Sequence, residues 1–312
     1  MTSISSTASR GPGFASAFSA LCAGAAAMGI SPLFVRIANE AGVGPFASAF
    51  WRVALALPVL YAWMRFEEAH ARPGSTRRSF GPATILAGLV FAGDLFFWHL
   101  SILNTTIANA TFLATTAPFF VVIVTWAVLR QRISQGTLIG LILCLLGGGA
   151  LIGQSLQVDP SRLRGDLYGL ATAFFFGLYF IVISRARETS GAARVTFEAT
   201  LVTSVILLGA ALWLDGQLLP ATYRGSVTGT QLAAALIAMG VVSHAGGQGL
   251  LSVALGRLPA TFSSLVIFLE ALVAAIAGWI VLGEPLTLVQ ILGGALILFG
   301  IWIARPKPAG TP

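Results

Sequence analysis

Five ionisable residues interrupt stretches of this sequence that are otherwise apolar: Arg52, Asp94, His99, His244 and Glu270. A charge at bilayer depth costs about 2.5–3.5 kcal/mol on insertion scales, so such residues face a bundle interior or a wet cavity. Asp94 lies in GDLFFWHL, where helical spacing puts Phe91, Asp94, Leu95 and Trp98 on one stripe. A carboxylate beside an indole suits a substrate with an amino group and an apolar or aromatic side chain. The ring face attracts the cation and the carboxylate pairs with it. The same carboxylate could instead form an ion pair with Arg52, the aromatics simply packing. His244 and Gln248 are i, i+4 neighbours in SHAGGQGLL, and Gly246, Gly247 and Gly249 permit close backbone approach or local unwinding. Polar side chains on such a stretch at mid-depth can build a transporter site; the alternative is an ordinary buried polar contact. Glu270, in LVIFLEALVAA, either cycles a proton or holds two helices by a structural hydrogen bond or ion pair. His99 is expected at the outer interface and Glu198 at the cytoplasmic one. Asn109, Thr115 and Thr116 read as interhelical hydrogen-bonding points.

The elements that carry these residues follow from composition. Of 312 residues, 56% are hydrophobic and only 9% charged, with mean hydropathy +0.88. Soluble domains carry about 25% charged residues, so too few are present to coat a water-facing surface. The net charge of +7 does not indicate nucleic acid, because the basic residues lie between apolar stretches rather than on one soluble face. Crossing the hydrocarbon takes about 20 apolar residues. Ten stretches qualify: 14–38, 44–65, 80–101, 105–129, 135–154, 166–185, 195–214, 230–253, 259–282 and 287–304. They are long and continuously apolar, which argues against barrel strands. The expected organisation is a disordered tail over 1–13, five helices over 14–154, a connecting loop over 155–165, five helices over 166–304 and a short tail over 305–312.

With both termini in the cytoplasm, that side receives 13 of the 18 basic residues and the other side four, Arg36, Arg162, Arg164 and Arg224, while Arg52 lies within a span. The positive-inside rule therefore predicts cytoplasmic termini and an even number of spans, in a cytoplasmic (inner) membrane. Cys22 and Cys144 lie inside apolar stretches, which excludes a disulfide framework.

The stretch from Thr105 repeats from Leu258. A constant offset of 153 places Trp126 on Trp279, Gln131 on Glu284, Ser134 on Thr287, Gly140 on Gly293 and Gly147 on Gly300. The first and sixth stretches match more weakly, Gly29 falling on Gly177. Five helices is an odd number, so the second copy crosses the membrane the opposite way, giving an inverted repeat. The predicted fold is all-α, with ten transmembrane helices as two inverted five-helix repeats. Gly136-x-x-x-Gly140, Gly149-x-x-x-Gly153 and Gly293, Gly294 and Gly300 supply small residues for close helix packing, either within the chain or between two copies.

These residues also resemble a family. GPFASAFWRVALALP is similar to the early "F-x-x-R-x-x-x-A" stretch of EamA-like members of the drug/metabolite transporter superfamily. LEALVAAIAGWIVLGEPLTLVQILGGALILFG is similar to their "L-E-P…L-G-E-x-L…G-x-x-L-I-x-x-G" signature. The resemblance covers nearly the whole chain and appears in both halves. It implies ten helices, a central cavity and export of small metabolites, amino acids among them. Ala271 stands where the family usually has proline, and Arg130-Gln131-Arg132 replaces its first-half "G-E-R".

The expected function is a secondary transporter exporting small amphiphilic metabolites by alternating access, amino acids before a multidrug or organic-cation load. Its cavity is expected from the third, fourth, eighth and ninth spans. Asp94, Trp98, His244 and Gln248 would contact substrate, and Glu270 and Arg52 would serve proton coupling or structure. The expected partners are a small-molecule substrate, the lipid bilayer and protons, with the protein a monomer or homodimer. An intramembrane enzyme is the rival from another class. The sequence contains no H-E-x-x-H, P-loop, G-x-S-x-G or D-x-x-x-D, and GGQGLL sits in no βαβ unit. Three histidines and two scattered cysteines make no metal site, so no cofactor is expected.

Overall fold

A backbone in hydrocarbon must satisfy its own hydrogen bonds, and long apolar runs therefore fold as helices. The computed structural model describes residues 12–70, 79–153, 160–222, 224–282 and 287–306, and every regular element among them is helical. Among the described residues, eight segments are long and apolar enough to cross a membrane: Gly13–Glu40, Pro45–Ala69, Pro82–Asn104, Ala108–Val128, Gln135–Ile152, Pro160–Arg187, Ala192–Asp215 and Gly229–Leu255. Two shorter apolar runs follow, Ala260–Val273 and Leu288–Ala304. These are called the first to tenth segments below. Most of the two expected tails, residues 155–159 of the expected loop, and Glu284 lie outside the described residues. The sixth segment enters its helix at Leu163, inside the expected loop. Asp166 in its first turn favours that start electrostatically.

The repeat is visible as a two-fold relation in the packing. Ser134 caps the fifth segment by accepting from the Thr137 N–H at 3.0 Å, and its counterpart Thr287 caps the tenth through Gln290 at 3.3 Å. The fifth and tenth segments pack on each other. A Cβ on Gly140 would press on the Gly300 carbonyl, and one on Gly293 on the Gly147 carbonyl. An early glycine of each segment thus meets a late glycine of the other, so the two run antiparallel. Gly140, Gly147, Gly293 and Gly300 are used inside the chain, where close approach of two backbones requires them, whereas Gly149 and Gly153 meet no other helix backbone among the described residues.

Helix breaks follow the same relation. The fourth segment breaks at Thr116, before Pro118, and the ninth between Val266 and Leu269. Proline explains the first, since it removes a donor and crowds the preceding turn. Ala271 occupies the matching position in the ninth segment, which breaks without it. Gly177 lets the sixth segment approach the fourth at Ala117, and Gly29 lets the first approach the ninth at Glu270. The residues 117 and 270 are again 153 apart. Two of the polar residues expected near helix ends are buried: His99 is 1% exposed and Glu198 is 2% exposed. Glu198 is buried because it has partners: it accepts from the Ser79 hydroxyl and the Phe80 N–H and pairs with Arg194 at 3.0 Å.

Candidate functional site

Near the middle of the bundle lies a cavity of about 50 Å³, lined by residues of the first, second, third, fourth, sixth, eighth and ninth segments. Its charged walls are Arg52, Asp94 and Glu270, with Trp98 and Gln248 beside them. Each is brought there by a local feature of its helix. Pro32 follows the break at Ile30 in the first segment, which puts Met28, Gly29 and Ser31 on the wall. Arg52 falls in the last turn of the helix Pro45–Ala54. Asp94, Leu95 and Trp98 share the face of the third segment that the helical period assigns them. Glu270 sits in the first turn after the ninth-segment break, its N–H donating to the Ile267 carbonyl at 2.9 Å.

Arg52 organises the charges. Its guanidinium lies 5.2 Å from the centroid of the Trp98 ring and donates from Nη1 to the Ser31 hydroxyl at 3.1 Å. It interacts electrostatically with both Asp94 and Glu270, yet among the described residues it makes no ion pair within 4 Å with either. Its Nε, the Gln248 Oε1 and the Thr111 Oγ1 are buried and have no hydrogen-bond partner among the described residues. Buried polar groups are normally paired, and each missing bond costs about 1–3 kcal/mol. One cation, two carboxylates and several open hydrogen-bonding atoms therefore surround a small polar space with an aromatic face.

The eighth segment contributes differently. Residues Met239–Gln248 form a π-helical stretch. The glycine-rich run is widened rather than unwound, and the close-approach reading is the one the packing realises. A Cβ on Gly24 of the first segment would lie 2.9 Å from the Gly247 carbonyl. Gln248 lines the cavity, its Nε2 facing the Met28 sulfur at 3.3 Å. His244 is absent from the lining. It shares a hydrogen bond of 2.9 Å with Thr200 and packs its ring against Phe91, tying the eighth segment to the seventh and third. Phe91, expected on the Asp94 stripe, packs against Tyr179 and His244.

Thr111, Thr172, Phe176 and the first-segment residues are walls that sequence reasoning did not single out. The proline in the first segment and the match of Gly29 to Gly177 were the signals that could have drawn attention to the first and sixth segments. Asn109 donates to Asp166 at 3.2 Å. Thr115 and Thr116 bond to carbonyls of their own helix. Trp126 and Trp279 are more than half exposed on the outer surface, as lipid-facing or interfacial indoles are.

The sequence profile of the EamA-like transporter family matches residues 15–152 and again 163–305. A protein of Archaeoglobus fulgidus described as an uncharacterized transporter is 23% identical over 88% of this chain and 92% of its own length. The uncharacterized transporter YwfM of Bacillus subtilis is 29% identical over 73% and 74%. A solved crystal structure superposes with a TM-score of 0.74 at 16% identity, covering 95% of this chain and 96% of that one, a likeness of fold. With two matched copies spanning nearly all of the chain, this multi-pass membrane protein belongs to the EamA-like transporter family.

Proposed function

We propose that this transporter exports small zwitterionic metabolites, amino acids with apolar or aromatic side chains first, by alternating access across the cytoplasmic membrane. It does so with ten spans and both termini inside. The observation that carries this reading is the juxtaposition of Arg52, Asp94, Glu270 and Trp98 on one cavity. The open Nε of Arg52 suits a substrate carboxylate, the carboxylates of Asp94 and Glu270 suit its ammonium, and Trp98, Phe176 and Met28 suit its side chain. At about 50 Å³ the cavity holds a few waters. Ligand pockets take roughly 300–1,000 Å³, so the walls must part to admit substrate. A chain of two inverted repeats has the symmetry for that.

Counterflow in proteoliposomes over a panel of amino acids and organic cations tests the substrate class. Exchange of apolar amino acids is expected, and exchange confined to organic cations would replace this reading with a multidrug one, which the excess of carboxylates over guanidinium favours. Glu270→Gln separates coupling from structure. Transport that loses its pH dependence in a stable protein assigns Glu270 to proton movement, whereas a destabilised protein assigns it to helix packing. Single cysteines at Glu188 and Thr222, in a chain without Cys22 and Cys144, test orientation. The first should react only from the cytoplasmic side and the second only from outside.

A further inference from the structure

The second and seventh segments, related by the repeat, each begin at a helix N-terminus with no side-chain cap of its own. The N-cap residues are Gly44 and Gly191, both in extended backbone geometry that any residue can adopt. Four N–H groups at a helix start lack intrahelical acceptors, and a capping side chain normally satisfies one of them. Here the missing cap comes from the far end of the partner segment. Glu67 spreads its carboxylate over the start of the seventh segment, accepting from the Ala192 N–H at 3.1 Å and the Ala193 N–H at 3.2 Å. Asp215, at the end of the seventh segment, accepts from the Ala47 N–H at 2.7 Å at the start of the second. Gly44 and Gly191 are offset by 147 residues and Glu67 and Asp215 by 148. The π-helical turn Ala211–Asp215 accounts for the slip, since such a turn takes in one extra residue.

Glycine serves space here rather than backbone freedom. A Cβ on Gly44 would strike the Asp215 carboxylate, and one on Gly191 would strike that of Glu67. Each contact sets an anion on the positive end of a helix dipole, a charge-assisted bond. The two contacts lie at opposite ends of the bundle, because Ala47 and Glu67 are 20 residues apart, about 30 Å along a helix. Their surroundings differ. Around Glu67, Arg187 reaches the Ser252 carbonyl at 2.9 Å and Arg194 pairs with Glu68 and Glu198. Around Asp215, the chain adds two neutral bonds, Trp51 Nε1 to the Leu218 carbonyl at 2.9 Å and the Arg224 N–H to the Ala41 carbonyl at 3.1 Å.

We propose that Glu67 and Asp215 are the gating residues of transport. Each is a latch that releases the helix start it holds when the cavity opens toward its own end, and the other stays engaged. This inference rests on the alternating-access reading given above. Both latches are closed in the present structure, in keeping with a cavity too small for substrate. In the proposed orientation the Glu67 latch faces the cytoplasm and the Asp215 latch faces outside.

The test uses the full chain in native membrane vesicles, with Cys22 and Cys144 replaced by serine and Thr172→Cys as the cavity probe. Labelling by a membrane-impermeant maleimide is followed in right-side-out and inverted vesicles. Asp215→Ala should speed labelling from outside about tenfold, and Glu67→Ala should do the same from the cytoplasmic side, in line with loss of a charged hydrogen bond. If either alanine variant fails to fold, Gly44→Ala and Gly191→Ala dislodge the same carboxylates without removing them, and the same side preference is expected. Faster labelling from the same side in both variants, or from neither side, would overturn the proposal. Because no substrate is added, a missing amino-acid transport activity would sink the substrate reading and leave this result standing.

Discussion

The third and eighth segments occupy equivalent places in the two repeats, and the chain builds them in opposite ways. The third is a continuous α-helix that presents Asp94, Leu95 and Trp98 to the cavity. The eighth widens into a π-helix over Met239–Gln248 and presents Gln248, while its glycines admit the first segment. Arg52 lies over the Trp98 face and interacts with Asp94, so the charge of the site is concentrated on the first-half wall and on Glu270. Scaffold symmetry and site chemistry are therefore separable. The backbone relation is shared by both halves, whereas the side chains on the cavity wall differ between them.

The largest effect expected from challenging this contrast is at Arg52. Arg52→Ala leaves two carboxylates in the cavity without their cation, and removal of one partner from a buried charge set costs about 3–5 kcal/mol. Thermal unfolding of the purified protein should show the loss, with partial recovery when Asp94→Asn is added. An unchanged midpoint would mean that the third-segment wall is not organised by charge. Gly24→Ala challenges the other wall. Its Cβ would meet the Gly247 carbonyl at 2.9 Å and Leu250 Cβ at 3.3 Å, and overpacking of this kind costs about 1–3 kcal/mol. The same measurement reads it, and a neutral result would show that the π-helical wall does not depend on close approach.

Smaller effects should separate the walls by function. Trp98→Ala removes the ring beneath the guanidinium, worth about 0.5–2 kcal/mol, and an apolar contact surface. Affinity for aromatic substrates should fall about tenfold in a binding or counterflow titration, with folded protein retained. Gln248→Ala removes one neutral hydrogen-bonding group and should cost about 0.5–1.5 kcal/mol, the smallest shift of the series. Alanine at both positions with affinity untouched would show that substrate does not use this cavity. A larger effect at Gln248 than at Trp98 would reverse the assignment of the two walls.

The polar residues were legible in sequence to different degrees, for physical reasons. Asp94 and Trp98 followed from the helical period of one regular element, and that period survives folding unchanged. Glu270 and Arg52 stood out because a charge in an apolar run has few places to go. His244 lies off the wall of this cavity, since a buried histidine is equally well satisfied by one threonine, and sequence does not say which helix supplies it. Thr111 and Thr172 gave no signal because threonine is common in membrane helices. Glu198 and His99 lay near helix ends on the sequence, but exposure depends on what packs over an end, and Arg194, Ser79 and Phe80 cover the first of them.

Composition, apolar run length and the 153-residue offset were sufficient for an all-helical membrane protein of two inverted halves, because bilayer solvation acts on each segment separately and leaves its mark on every residue. The offset also carried the opposite directions of the fifth and tenth segments, since an odd number of helices per copy forces inversion. What sequence did not contain was which segments meet. The first and sixth join the cavity wall, the eighth takes a π-helical form, and Glu67 and Asp215 cap helices more than a hundred residues away. Those outcomes depend on the distances between packed backbones, a property of the assembled bundle that no local period or composition encodes.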